Sequence, residues 1–220
     1  MTSDAHRFSA SEERANAISH FSALVLACGG LVLMIVFSAI RGTAWHVVST
    51  SVFGATMIIL YTSSTFNHWL KPGKSKEWFF NFDQVAIFLL IAGTYTPLTL
   101  VLIRGGLGWT IFGIEWGLAI IGITIRILNP SRFESGVNYF FIALYVIMGW
   151  MLLIGIGPLA RAISPIGLAW ILIGGGCYTL GILFYKKIIF PYHHLVWHLF
   201  VIAGSIFHFF AIFFHVIPDS

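Results

Sequence analysis

Pro191-Tyr192-His193-His194-Leu195-Val196-Trp197-His198 runs without interruption into an apolar segment that ends near Ile217. As a helix, this stretch puts His194 and His198 at i and i+4, so both imidazoles leave one face a turn apart and can hold one metal ion. The segment is long enough to cross a bilayer, where imidazoles are costly unless they have a function. His193 points about 100° away from His194 on an ideal helix and is a poor co-ligand. What the pair does depends on what else reaches the mouth of this helix.

The composition answers part of that. A mean hydropathy of +0.91, 58% hydrophobic residues and only 9% charged residues place the 220-residue chain in the polytopic membrane class. The net charge of +4 comes from Lys and Arg scattered between apolar blocks, which is topology information and no nucleic-acid footprint. Cys28 and Cys177 both fall inside apolar blocks and read as small buried packing residues, neither a disulfide nor a thiolate metal site. The first dozen residues are polar and show no Arg-rich region followed by a cleavage site, so no removable signal peptide is expected.

Crossing the hydrocarbon takes roughly 20 apolar residues. The stretches that qualify are Ile18–Ile40, Val47–Trp69, Phe79–Ile103, Trp109–Leu128, Val137–Ile156, Ile166–Tyr185 and His194–Ile217. The expected fold is an all-α membrane protein, a seven-transmembrane helix bundle, with a short N-terminal segment over 1–17 and one transmembrane domain over 18–217. The connectors carry breakers and charges: Arg41-Gly42, Lys71-Pro72-Gly73-Lys74, Arg104-Gly105-Gly106, Asn129-Pro130-Ser131-Arg132, Gly157-Pro158 and Lys186-Lys187. With the N-terminus cytoplasmic, the inner segments hold nine of the twelve Lys and Arg, and only Arg41, Arg104 and Arg161 lie outside. The positive-inside rule therefore predicts a cytoplasmic N-terminus and an outside C-terminus.

That orientation brings four donors to one depth. His68 closes the second span, Asp83 opens the third, and His194 and His198 open the seventh. Three histidines from two helices, completed by a water, would make a tetrahedral zinc site with one open position. Asp83 is either a direct ligand or, as we favour, the group that holds the water and accepts its proton. Ser64, one turn from His68 on the same face, is placed to hydrogen-bond into this shell. The plainer alternative has the histidines facing headgroups and Asp83 paired with Lys71 or Lys74. Before the first span, Glu13, Asn16 and His20 form a polar stripe at spacings of three and four, which is either a second shell to the metal or a solvated helix start. His208, ten residues beyond His198 and about 15 Å deeper, lies too far off to share the ion. Its helical angle still turns it inward, toward packing or a substrate. His46 and His215 read as interfacial, and Glu115, in mid-span, is a carboxylate that calls for a partner. Gly174-Gly175-Gly176 reads as close helix packing or a kink.

These residues carry a resemblance. Glu13-Arg14-Ala15-Asn16-Ala17-Ile18-Ser19-His20, Ser64-x-x-x-His68, Asp83, and the run from His194 through His198 to His208-Phe209 are similar to the hemolysin III family. That family is the bacterial branch of the progestin and adipoQ receptor (PAQR) superfamily. The resemblance covers essentially the whole chain. It implies a multi-pass protein of the bacterial inner (plasma) membrane, a zinc ion held at His68, His194 and His198, and Asp83 contacting that ion through water. Eukaryotic relatives are hormone receptors with ceramidase activity, and bacterial members are linked to haemolysis and membrane homeostasis.

Three functions are therefore expected to compete. One is a zinc-dependent hydrolase of lipid amide or ester bonds, with membrane lipids of the inner leaflet as partners and Asp83 and Ser64 as the catalytic groups. The second is a sensor or receptor in which zinc is structural, tying helices together so that lipid state shifts the bundle. The third is a pore-forming cytolysin, for which the sequence offers no amphipathic insertion segment and few polar residues in mid-span.

Overall fold

A computed structural model describes residues 8–129, 139–186 and 190–218. The connector around Pro130-Ser131-Arg132, the start of the fifth span at Val137 and the Lys187 end of the sixth connector lie outside the described residues. The elements in chain order are α1 (Ala10–Arg41), α2 (Ala44–Trp69), α3 (Lys74–Pro97), α4 (Gly106–Leu128), α5 (Tyr139–Trp150), α6 (Ile156–Ala162), α7 (Pro165–Lys186) and α8 (His193–His215). A π-turn at Leu98–Leu102 prolongs α3, and a 3-10 turn at Met151–Gly155 joins α5 to α6. Seven helical stretches among the described residues are long and apolar enough to cross a membrane, the fifth being α5 and α6 together. All of the described regular structure is helical.

The outer surface carries Ile18, Phe21, Leu26, Ile40, Ile120, Ile127, Leu128 and Ile154, among many other large apolar side chains, each more than half exposed. Apolar surface so continuous suits contact with acyl chains, not with water. Inside, α1 packs on α2 and α8, α2 on α3, α3 on α4, and α7 on α8. α5 touches α3, α4 and α7 only sparsely.

Most differences from the expected spans share one cause. Hydropathy marks the part of a helix that crosses hydrocarbon, whereas hydrogen bonding carries the helix on into polar turns. α1 has 32 residues, about 48 Å at 1.5 Å per residue, and begins at Ala10, eight residues before the expected span. Residues 10–17 thus extend the span helix by two further turns. They are started by Ser9, whose hydroxyl accepts the Glu12 N–H while the Glu12 carboxylate accepts the Ser9 N–H. Gly157-Pro158, expected as a connector, lies inside α6. A proline in the first turn withholds an N–H that has no intrahelical acceptor there, so the helix tolerates it. Pro97 acts differently: as the last residue of α3 it removes a backbone donor within the continuing span, and the helix widens into the π-turn that follows.

Two expectations about buried groups are corrected. Cys177 is half-buried, but Cys28 is exposed on the outer face of α1, and both are free thiols. Glu115 is fully buried, yet neither carboxylate oxygen has a hydrogen-bond partner among the described residues.

Close helix contacts fix the position of the site. Gly93 of α3 lies directly against Thr56 of α2, and a β-carbon there would overlap the threonine side chain. Gly93→Val should force α2 and α3 apart and cost about 1–3 kcal/mol. Thermal unfolding in detergent, compared with wild type, measures it as a lowered midpoint.

Candidate metal centre

α2 ends, and α3 and α8 begin, at the same end of the bundle as the start of α1. At that end one nitrogen from each of His68, His194 and His198 lies within 4.8 Å of the others. The ring centroids are 5.2 Å apart for His68 and His194, 5.0 Å for His68 and His198, and 4.7 Å for His194 and His198. His68 and His198 are buried, and His194 is half-buried. The sequence-predicted triad therefore converges.

Each buried ring is oriented by α1, which itself supplies no ligand. The His68 Nδ1–H donates to Glu13 Oε2 at 2.6 Å, and His68 Nε2 is left buried with no partner in the described residues. In His198 the Nδ1–H faces two acceptors, the Asn16 carbonyl at 3.2 Å and the Ser19 hydroxyl oxygen at 3.0 Å. Ser19 in turn donates to the Asn16 carbonyl at 2.7 Å, so its oxygen is free to accept. Both rings thereby carry their proton on Nδ1 and turn Nε2 toward the triad. A histidine whose far nitrogen donates to a carboxylate or carbonyl is the arrangement that orients metal ligands. An orphaned ring nitrogen surrounded by two more imidazoles fits a borderline-soft divalent ion such as zinc.

The stripe Glu13, Asn16 and His20 is drawn into this shell, with three different roles. Glu13 bonds a ligand directly. Asn16 acts through its backbone carbonyl, while its side-chain oxygen and nitrogen are buried without partners among the described residues. His20 makes no hydrogen bond to the triad; its ring lies flat on His198, with centroids 3.6 Å apart and planes 10° from parallel, and meets the edge of Tyr61.

Asp83 stands outside the triad but lines the same cavity. Pairing with Lys71 or Lys74, the plainer alternative, is not what holds it. Its Oδ2 accepts from Asn67 Nδ2 at 3.2 Å, and the Ser64 hydroxyl lies beside it without closing a well-formed hydrogen bond. The lysine that matters is Lys76, which is buried and donates to Glu13 Oε1 at 2.8 Å and to the Asn67 carbonyl at 2.7 Å. A continuous chain thus runs from His68 through Glu13, Lys76 and Asn67 to Asp83. Burying a lysine beside a carboxylate keeps each charge compensated where water is scarce.

Several contacts were not anticipated from sequence. Phe8 covers the triad from outside, with its ring 4.8 Å from His194 and 6.2 Å from His68. Glu12 accepts the Tyr192 N–H at 2.9 Å, and Tyr192 holds a left-handed φ of 64° as the residue before α8. That conformation is uncommon for a tyrosine and sets the direction in which His194 and His198 enter the bundle. The His193 Nδ1–H donates to the Phe184 carbonyl at 2.6 Å and ties α8 to α7. Only Ser19 had a signal in sequence, three residues after Asn16 on the same stripe.

From the triad a cavity, open along one side, extends between α2, α3, α5, α7 and α8. Its wall is mostly Leu, Ile, Val and aromatic side chains, with Ser64, Asp83 and the triad's His194 and His198 at one end and His208 at depth. His46 and His215 lie at the opposite end of the bundle, bonded to Thr43 and to Ser164.

A profile described as "Haemolysin-III related" matches residues 8–209. The chain is 40% identical over 212 residues to the hemolysin-3 homolog of Bacillus subtilis (strain 168), covering 96% of this chain and 97% of that one. It is also 40% identical over 209 residues to hemolysin-3 of Bacillus cereus, covering 95% and 94%. The monocyte to macrophage differentiation factor of Homo sapiens is 27% identical over 207 residues, covering 91% of this chain and 83% of its own length. The resemblance drawn from sequence holds, and it reaches this distant PAQR-family relative.

If Glu13 orients His68, Glu13→Ala should weaken metal binding by about 10–100-fold while the bundle still folds. His198→Ala, which removes a donor outright, should purify without stoichiometric metal. Elemental analysis and chelator competition on the purified proteins measure both.

Proposed function

Because this chain belongs to the haemolysin-III family, we propose that it is a multi-pass enzyme of the bacterial inner membrane that hydrolyses lipid amide or ester bonds with zinc. The observation that carries this reading is the convergence of three imidazoles, His68 Nε2 among them buried without a partner in the described residues, at a long apolar cavity that Asp83 also lines. The preponderance of Lys and Arg at this end of the bundle supports placing the site at the cytoplasmic face, where a lipid of the inner leaflet can present its headgroup-proximal bond.

Zinc held by His68, His194 and His198 would supply Lewis acidity toward a carbonyl oxygen and acidify water at the open position. The chain's own groups do the rest. Asn67 fixes Asp83 Oδ2, which leaves Oδ1 to accept a proton from the attacking water. The Ser64 hydroxyl, buried with no partner in the described residues, can donate to the carbonyl oxygen as negative charge develops there. The C–N or C–O bond breaks, the acyl carbon keeps the water oxygen, and Asp83 returns its proton to the departing nitrogen or oxygen. Apolar walls take the acyl chain and exclude bulk water.

The wall chemistry also weighs against a conducting pore: a mostly apolar lining suits hydrocarbon better than ions. The capped geometry favours one alternative. With Phe8 over the triad and α1 clamped by Glu12 and Glu13, a structural metal would tie α2 to α8, with α1 held against both by hydrogen bonds, in a sensor of membrane state.

Turnover separates the two. In nanodiscs with stoichiometric zinc, the wild type should release fatty acid from a panel of ceramides and lipid esters. Asp83→Asn should keep the metal and lose at least about 100-fold in rate, in line with the loss of a general base. Metal-replete wild type that cleaves none of the panel would overturn the hydrolase reading, and the sensor would replace it.

A further inference from the structure

The cavity does not end in hydrocarbon. His208, on α8, lines its deep part and is buried and closely held. The Nδ1–H donates to the Gly204 carbonyl at 2.8 Å, and one ring face stacks on Tyr178 with centroids 5.4 Å apart and planes 11° from parallel. The Nδ1 and Cε1 edge rests against Gly174 of α7, where a β-carbon would come within 2.6 Å of both atoms. Because a carbonyl can only accept, Nδ1 carries the proton, and Nε2 of the neutral ring is an acceptor. The hydrogen bond of His208 among the described residues is the one made by Nδ1, and Nε2 makes none there. Three hydroxyls along the cavity donate elsewhere, Thr94 to the Leu90 carbonyl, Tyr95 to the Gly149 carbonyl and Thr179 to the Gly175 carbonyl, and the Tyr178 hydroxyl is paired with that of Ser205.

We propose that His208 is a specificity-determining residue whose Nε2 accepts a hydrogen bond from a hydroxyl carried partway along the chain of the bound lipid. The inference rests on the cavity holding an acyl chain, as the proposed function requires. Ten residues of helix separate His208 from His198, about 15 Å, so the hydroxyl recognised lies in mid-chain and not beside the carboxyl carbon. An unmatched acceptor in an apolar wall penalises a plain chain, which strips it of water and returns nothing. A chain with the hydroxyl at the right depth replaces that water. Gly174 is the structural counterpart: only a residue without a side chain lets the ring lie where its Nδ1 is satisfied and its Nε2 faces the cavity.

The test is binding, with metal-replete full-length protein in nanodiscs and three probes: stearate, 12-hydroxystearate and 3-hydroxystearate. Wild type should bind 12-hydroxystearate about fivefold more tightly than stearate, the worth of one hydrogen bond, and 3-hydroxystearate no better than stearate. His208→Phe should remove the preference by binding the hydroxylated chain less well and stearate at least as well. Gly174→Ala, which leaves the histidine in place but displaces its ring, should remove it too and serves if the first variant does not fold. Equal binding of stearate and 12-hydroxystearate by wild type, or a preference that survives in both variants, overturns the inference and leaves the lipid reading of the cavity standing. Binding of none of the three probes overturns both.

Discussion

Imidazoles and carboxylates set among hydrocarbon have no water to fall back on, so each must find a partner within the protein or bind one from outside. Around the triad that constraint is met by a single carboxylate. Glu13 accepts a hydrogen bond from the His68 Nδ1–H with one oxygen and from the Lys76 ammonium with the other. Through Lys76 and Asn67 the same chain of contacts reaches Asp83. The residue that would hold metal and the residue that would take a proton are thereby positioned by one continuous set of hydrogen bonds.

This arrangement explains the unusual length of α1. A helix that only crossed the bilayer would stop short of the ends of α2 and α8, and its polar turns would face water. By running from Ala10, α1 lays Glu12, Glu13, Asn16, Ser19 and His20 along the mouths of its neighbours. It contributes no ligand, yet it sets the protonated nitrogen of two of the three histidines. The left-handed turn at Tyr192 is held from the same side, by Glu12.

The opposite wall is built on other terms. α5 packs sparsely and breaks at Met151, and the space between it, α3 and α7 becomes the cavity. Close packing on one side of the bundle, around Gly54, Gly93 and Gly122, contrasts with this open seam. Rigid helices carry the polar site, and the loosely held helix borders the room where an acyl chain would lie.

By itself the sequence determined the fold class, the seven spans and the triad. Apolar runs near 20 residues are a local property, and the i, i+4 spacing of His194 and His198 is geometry inside one helix. The meeting of His68 with them was legible because alternating spans return the chain to the same side of the membrane. What only the tertiary structure decided is how those groups are held. The reach of α1 beyond its apolar stretch depends on capping by Ser9 and Glu12. The choice of Lys76 over Lys71 and Lys74, and of the Asn16 carbonyl over its side chain, depends on helix rotation. So does the pairing of Gly174 with His208. Hydropathy is blind to rotation, because lipid presses on every outward face alike and only side chains meeting across helices set the angle.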